Sequence, residues 1–297
     1  NKCGIFDASK DVSDASPILS TSRSLLQSFK RFGVNSSTHV EEEKEKVVKS
    51  ISRFLKVNDR YTALTSLLLK SYLYHSLTEE SSSVKESELS ERRNKIKKVT
   101  TLPKTEKGRP YMPSIDIGFS ISHQYPFVGM AYMKDKSTER IPMQGHDNLL
   151  IGLDIVMFTS YRDTQHLYSG VDEFIEVFRD SFSPNEWNEI VSIHCPNEVE
   201  TNPRLIEFFL RWSVKEAYTK ALGLGMSLDF KSFHTQMYQD FEDPIPVTYL
   251  WKSFLKSENP FTFMAKVKYN DKQDEETWQF SFLPLGFKKR NASGAAC

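Results

Sequence analysis

The chain has 297 residues, with 39 Lys plus Arg against 39 Asp plus Glu and a formal net charge of zero. That length suits one large domain or two of ordinary size, and the balanced charge offers no electrostatic footprint for nucleic acid. Cys3, Cys195 and Cys297 form no spacing pattern, and an odd count argues against a disulfide framework, which fits a reducing cytosol.

The N-terminus, Asn1 to Asp7, has no signal-peptide core, and no apolar run approaches the ~18 residues of a membrane span. A cytoplasmic chain with no membrane partner is expected. Residues 1–38 are Ser-rich and read as a poorly ordered or peripheral segment, with one short helix around Leu25, Leu26, Phe29 and Phe32. The run Glu41-Glu42-Glu43-Lys44-Glu45-Lys46 opens a helix whose apolar face is Val47, Val48, Ile51, Phe54 and Leu55. A second helix is predicted over about 59–77, carrying Ala63, Leu64, Leu67, Leu68, Tyr72 and Leu73. Residues 78–98 are polar and charged and read as a mobile loop.

Val128 to Met133 reads as a strand, and 134–147 as a connecting loop with Pro142 and Gly145. The apolar run Leu149 to Phe158 reads as one buried strand opening a second half. Val171 to Phe182 is predicted helical through Phe174, Ile175, Val177 and Phe178. Ser183-Pro184-Asn185-Glu186 has the chemistry of a helix start, with a Ser cap, Pro in the first position and Glu in the third. Asn202-Pro203 opens the next helix in the same way, and Gly223 closes it. Phe261 to Val267 and Trp278 to Phe282 read as strands, and 287–297 as a frayed tail.

Two features carry chemistry. Trp212-Ser213-Val214-Lys215-Glu216-Ala217-Tyr218-Thr219-Lys220 is an amphipathic helical pattern that sets Glu216 and Lys220 four apart, one turn above each other. Asp154 interrupts the apolar run 149–158, where an ionised carboxylate is costly unless it is paired. A second carboxylate from a helix plus a metal ion would meet that cost. Asp154 and Glu216 therefore read as a split metal site with Lys220 beside it. Lys215 lies about 100° around the helix from Glu216 and belongs to a different role or to solvent.

These motifs resemble those of the 4'-phosphopantetheinyl transferases. Gly152-Leu153-Asp154-Ile155 fits the family's G-[ILV]-D-[IL] and Trp212 to Lys220 its W-x-x-K-E-[AS]-x-x-K, about sixty residues apart as in the family. Ahead of them, Lys107-Gly108-Arg109-Pro110-Tyr111-Met112-Pro113 and Phe119-Ser120-Ile121-Ser122-His123-Gln124 look like the block G-[KR]-P-x-x-P…F-[NS]-[IV]-S-H. The resemblance covers roughly residues 50–235 and is nearest to the broad-specificity group, among the eukaryotic transferases that serve aminoadipate reductase or dehydrogenase. It implies an α+β fold of two similar α/β lobes, each a small, mostly antiparallel sheet packed with helices, with the active site at their interface. The lobes would be 39–147 and 148–286.

The implied activity is transfer of 4'-phosphopantetheine from coenzyme A to a serine of acyl or peptidyl carrier domains, such as those of aminoadipate reductase and fatty-acid synthase. It would release 3',5'-ADP, depend on Mg²⁺ and link the chain to lysine biosynthesis; the enzyme is expected to be a monomer. By the same resemblance Asp154 and Glu216 are Mg²⁺ ligands and Lys220 meets the leaving phosphate. Lys104, Thr105, Glu106, Lys107, Gly108 and Arg109 lie along the adenine and 3'-phosphate, and Ser120, Ile121, Ser122 and His123 meet coenzyme A, with His123 on a phosphate. Arg60 and Lys70 correspond to basic residues for the 3'-phosphate. Many bacterial members carry a third carboxylate where this chain has Val156; Gln124 is the candidate to hold a metal-bound water instead. Two other readings stay open: a coenzyme A-dependent acyltransferase, for which no Gly-rich pyrophosphate loop is found, and a degenerate protein that only docks carrier domains, which Val156 favours.

Overall fold

The computed structural model describes residues 2–7, 45, 48–79, 102–112, 117–134, 150–158, 165–194, 202–239, 246–256, 260–271, 275–285 and 294–296. The helix expected around Leu25, the loop 78–98 beyond residue 79 and the loop 134–147 beyond residue 134 lie outside them. The chain divides into two compact units, Asn1–Leu150 and Ile151–Cys297. Helices and small antiparallel sheets are combined throughout, an α+β architecture.

In the first unit, β1 (Lys2–Asp7), β3 (Phe127–Lys134) and β2 (Ile117–Gln124) form a three-stranded sheet in the order β1-β3-β2, antiparallel throughout. The Ser-rich composition of 1–38 gave no sign of β1, because its period is too short to read. Helix α1 (Val57–Glu79) covers one face, and Leu73, Tyr74 and Leu77 pack with Met112, Ile117, Phe119 and Met130. The apolar face expected of α1 is narrower than its sequence suggests, since Tyr72 is 70% exposed while Leu64 and Leu73 are buried. Ahead of it, residues 48–52 are helical, but among the described residues of the face expected there only Ile51 is buried; Val48 and Leu55 are exposed.

The second unit holds a five-stranded antiparallel sheet in the order β4-β8-β7-β6-β5, made by β4 (Ile155–Met157), β5 (Phe233–Tyr238), β6 (Phe261–Tyr269), β7 (Glu275–Leu285) and β8 (Gly294–Ala296). Both strands expected in the final third are present and longer than their apolar cores. The tail expected over 287–297 contributes a strand: Gly294–Ala296 pairs with β4 on one side and β7 on the other. The expected strand 149–158 is confined to Ile155–Met157.

Four helices pack against this sheet's unit. Val171–Glu176 is α2, and the rest of the predicted helix to Phe182 is a turn and a short 3₁₀ helix, Arg179–Ser181, so Val177 stands 62% exposed. In α3 (Pro184–Val191), Glu186 N–H donates to the Ser183 hydroxyl and the Glu186 carboxylate accepts from Ser183 N–H, the reciprocal cap the sequence announced. Asn202 caps α4 (Pro203–Leu222) by accepting from the Arg204 and Leu205 amides. Gly223 ends it at φ 76°, a left-handed geometry that glycine adopts without strain. Helix α5 is Leu250–Lys256.

Helix α4 is not amphipathic in the ordinary sense. Leu205, Ile206, Phe208, Phe209, Leu210, Val214, Ala217, Tyr218 and Ala221 are all buried, around most of its circumference. Trp212 joins this core against Phe178, Phe230 and Phe208, with ring centroids 5.3, 5.2 and 6.1 Å away. Each such buried aromatic contributes about 1.5–3 kcal/mol through area alone, so α4 is anchored by packing and its few polar side chains are held in place by it.

Candidate active site

Asp154 and the signature helix meet because of Gly152. A Cβ built on Gly152 would lie 1.7 Å from the Ala217 carbonyl oxygen, 2.7 Å from its carbon and 2.9 Å from the Ala221 nitrogen. The segment before β4 therefore runs in backbone contact with α4, one residue after Glu216 and one residue after Lys220. Two residues beyond Gly152, Asp154 is 6% exposed and its Oδ1 accepts from Lys220 Nζ at 2.6 Å. The charge the sequence left unpaired is thus met by an ammonium one turn beyond Glu216. Asp154 precedes β4 rather than interrupting it.

Glu216 is half-buried on the same stripe of α4 as Trp212 and Lys220. Burial pushes its carboxyl above the ordinary range, the Lys220 ammonium pulls it back, and the Asp154 carboxylate pushes it up again; the net shift is upward. Asp154, Glu216 and Lys220 therefore share one electrostatic neighbourhood. Among the described residues no group of three or more His, Cys, Asp and Glu side chains converges. A carboxylate carries about four acceptor sites, and the Lys220 bond occupies one of those on Asp154. Two hard-oxygen donors suit a small divalent cation that keeps several waters, and a cation here would relieve the like charge that raises Glu216. The residues present fit Mg²⁺.

Val156 is 6% exposed and part of the hydrophobic core, so a glutamate there would bury a charge. Lys215, one alternative for which was a solvated side chain, is wholly buried. Its Nζ donates to the carbonyls of Phe230 (2.9 Å) and Phe233 (2.7 Å) and pairs with Glu186 at 3.0 Å.

The remaining candidates lie in the first unit. Lys104 to Pro110 is a tight hairpin-like loop in which Gly108 N–H donates to the Thr105 carbonyl and Thr105 N–H to the Arg109 carbonyl. Gly108, at φ 93°, takes the left-handed conformation that closes it. The Thr105 hydroxyl accepts from Arg109 N–H, which gives Thr105 a structural reason to be there. Lys104, Glu106, Lys107 and Gly108 are exposed, whereas Arg109 is 7% exposed; the three cations expected around a glycine are two on the surface and one inside.

Ser120, Ile121, Ser122, His123 and Gln124 are all on β2. Alternation puts Ile121 and His123 on the face that Phe119 shares with the α1 core, and Ser120, Ser122 and Gln124 on the other. His123 and Gln124 are both exposed at the strand end. Arg60 Nε donates to the Phe54 carbonyl at 2.6 Å, and burial holds the Lys70 ammonium below its ordinary value.

Residues 150–261 match the sequence model of the 4'-phosphopantetheinyl transferase superfamily; the matched stretch runs from Gly152 and Asp154 through all of α4. Individual transferases are similar over part of the chain. A phosphopantetheinyl transferase of a Thraustochytrium species is 34% identical over 128 residues, covering 42% of this chain and 38% of its own. The L-aminoadipate-semialdehyde dehydrogenase-phosphopantetheinyl transferase of Xenopus laevis is 24% identical over 190 residues, covering 62% and 50%. The 4'-phosphopantetheinyl transferase of Bacillus subtilis is 26% identical over 136 residues, covering 46% and 46%. The alignments thus span half or less of these relatives' own lengths. Among the described residues no helix is long and apolar enough to cross a membrane.

Sequence reasoning singled out Asp154, Glu216 and Lys220, which the structure brings into one neighbourhood. It missed why Gly152 precedes Asp154, although an isolated glycine in an apolar run is the usual signal of close backbone approach. It also read Glu186 only as a cap, although a carboxylate has room for further donors.

Proposed function

We propose that this protein transfers the 4'-phosphopantetheine group of coenzyme A to a serine hydroxyl of a carrier domain, with 3',5'-ADP as the leaving group. The observation that carries this is the meeting of Asp154, Glu216 and Lys220 through the Gly152 contact, within a stretch that matches the transferase superfamily. In the reaction the serine oxygen forms a bond to the pantetheine-side phosphorus, the bond from that phosphorus to the bridging oxygen breaks, and the serine proton goes to a base. Such chemistry depends mainly on positioning and charge neutralisation.

Asp154 and Glu216 would hold Mg²⁺, which supplies charge neutralisation on the pyrophosphate. Glu216, whose carboxyl burial shifts upward, would take the serine proton, directly or through a water. Lys220, oriented by Asp154, faces developing negative charge on the bridging oxygen with its ammonium. In the first unit, Lys104 and Lys107 are exposed cations suited to the 3'-phosphate, the glycine at 108 lets a ligand approach the backbone, and His123 is an exposed donor for a phosphate oxygen. Gln124 is assigned to a metal-bound water. The carriers are acyl or peptidyl carrier domains, with aminoadipate reductase or dehydrogenase the favoured class because relatives carry that partner in their names. The protein works as a cytoplasmic monomer in this proposal.

Incubation with coenzyme A, Mg²⁺ and a carrier domain, followed by chromatography of nucleotides, tests it. Release of 3',5'-ADP is expected with the serine carrier and none with a Ser→Ala carrier. In a parallel incubation with acetyl-coenzyme A, acyl transfer to the carrier with intact coenzyme A as product would replace the proposal with an acyltransferase, and no product on any carrier in either incubation would leave a docking protein.

A further inference from the structure

Helix α4 carries two charged stripes about 100° apart. Glu216 and Lys220 stand on the half-buried stripe of the candidate site, and Glu207, Arg211 and Lys215 on one that is wholly buried. The buried stripe is tied to its surroundings at named atoms. Arg211 Nε donates to Glu207 Oε1 at 2.7 Å and its Nη2 to the Thr248 carbonyl at 3.1 Å, while Glu207 Oε2 accepts the Trp251 amide at 2.8 Å.

Lys215 and Glu186 make the tightest part of this arrangement, at 0% and 1% exposure. Glu186 Oε1 accepts from the Thr235 amide (3.0 Å) and hydroxyl (2.8 Å) at the start of β5. Its Oε2 accepts from the Ser183 amide (3.0 Å) and hydroxyl (2.8 Å) at the start of α3, and from Lys215 Nζ at 3.0 Å. The three ammonium protons of Lys215 are matched by Glu186 and the carbonyls of Phe230 and Phe233. One carboxylate and one ammonium therefore lock three elements, α3, α4 and β5, at atomic distances.

A pair of this kind is weak evidence for stability, because two charges taken out of water regain in attraction about what they lost in hydration, and apolar replacements of similar volume often fold as well. What it fixes is direction. Lys215 is the residue before Glu216, and one residue is about 100° of helix rotation. Any turn of α4 about its axis that relaxed the Lys215 bonds would swing Glu216 and Lys220 away from Asp154.

We propose that Glu186 and Lys215 are positioning residues for the candidate site: they set the rotation of α4 and so aim Glu216 and Lys220 at Asp154, without meeting substrate. This rests on the transferase reading above for its kinetic consequence, but the rotation is a property of the fold.

The test replaces both charges together, Glu186→Gln with Lys215→Met, so that no lone charge is buried. Thermal melting and circular dichroism establish that the double variant folds, and turnover is measured in two backgrounds, native and Glu216→Gln, the second by single-turnover assay. A misplacement of about 1 Å is enough for ~10²-fold in rate, so kcat is expected to fall on that order in the native background with KM for coenzyme A little changed. In the Glu216→Gln background the same replacement is expected to cost severalfold less than in the native one, because one of the two residues it aims is already gone. An equal loss in both backgrounds, or no loss in a folded variant, overturns the proposal. Should the double variant melt below the assay temperature, Glu186→Gln alone, whose single amide oxygen still accepts from either Ser183 or Thr235, is put through the same cycle with the same criteria. If the unaltered chain releases no 3',5'-ADP, the transferase reading fails by itself. The rotation is then judged by a crystal structure of the folded variant: loss of the Lys220–Asp154 contact supports it, and retention overturns it.

Discussion

Gly152→Ala is the smallest change that reaches the candidate site through the fold alone. The added methyl would lie 1.7 Å from the Ala217 carbonyl oxygen and within 2.9 Å of the Ala221 nitrogen. All of these are backbone atoms of a helix packed on most of its sides, so none can swing aside as a side-chain tip would. The segment 151–154 must retreat from α4 by roughly 1.5 Å, an overpacking strain of about 1–3 kcal/mol. The same retreat stretches the 2.6 Å bond from Lys220 to Asp154, and a hydrogen bond between charged groups contributes about 1.5–3 kcal/mol. Part of that is lost to water, since the Lys220 side chain is 30% exposed. A destabilisation of about 2–4 kcal/mol is expected in urea or guanidinium unfolding, with turnover in the surviving folded protein down by on the order of 10²-fold. Gly170→Ala is the control: no atom lies within 4 Å of its Cβ and its φ of 178° is extended backbone open to any residue, so its stability should change by less than about 0.5 kcal/mol. A Gly152→Ala protein with native unfolding midpoint and native turnover would refute the account of why a glycine precedes Asp154.

Asp154→Asn and Glu216→Gln are each expected to keep the fold and lower turnover by at least ~10²-fold; near-normal rates in either at saturating Mg²⁺ would remove the split site. Dephospho-coenzyme A is expected to be a poorer substrate, by about 1.5–3 kcal/mol per lost charge-assisted contact; equal kcat/KM for the two cofactors would strip Lys104 and Lys107 of their role. Burial raises the Glu186 carboxyl, but Lys215 and the donors from Thr235 and Ser183 outweigh it and hold it below its ordinary 4.5. Its folded value lies below its unfolded one, so the stability it adds is complete above the unfolded value and is lost as pH falls through the folded one. Stability curves below about pH 4.5 should therefore be flatter for Glu186→Gln than for the native protein, and identical slopes would contradict the assignment.

The parts of the fold that were legible in the sequence are those whose cause is local. Ser183-Pro184-Asn185-Glu186 and Asn202-Pro203 carry their own caps, and α3 and α4 begin there. The β6 and β7 strands announce themselves by β-rich apolar runs. What was not legible depends on partners far along the chain. Gly294–Ala296 is too short and too small-sided to read as a strand, and it becomes one because β4 and β7 leave a place between them. Val177 fits a helical stripe but faces solvent because α2 ends at Glu176. At the site, spacing within one helix placed Glu216 and Lys220 together, and the cost of an unpaired Asp154 pointed to a partner. Spacing could not say that Lys220 is that partner, nor that Lys215 turns inward to Glu186. Those contacts span 66 and 29 residues of sequence, and only the packed helix decides them.

Intact-mass measurement of a carrier domain incubated with the full chain, coenzyme A and Mg²⁺ tests the proposed activity most directly. The carrier should gain the mass of one phosphopantetheinyl group at its serine, fail to gain it when Mg²⁺ is chelated, and gain it at least ~10²-fold more slowly with Glu216→Gln. An unmodified carrier after prolonged incubation with the native protein, or one modified equally fast by Glu216→Gln, would contradict it.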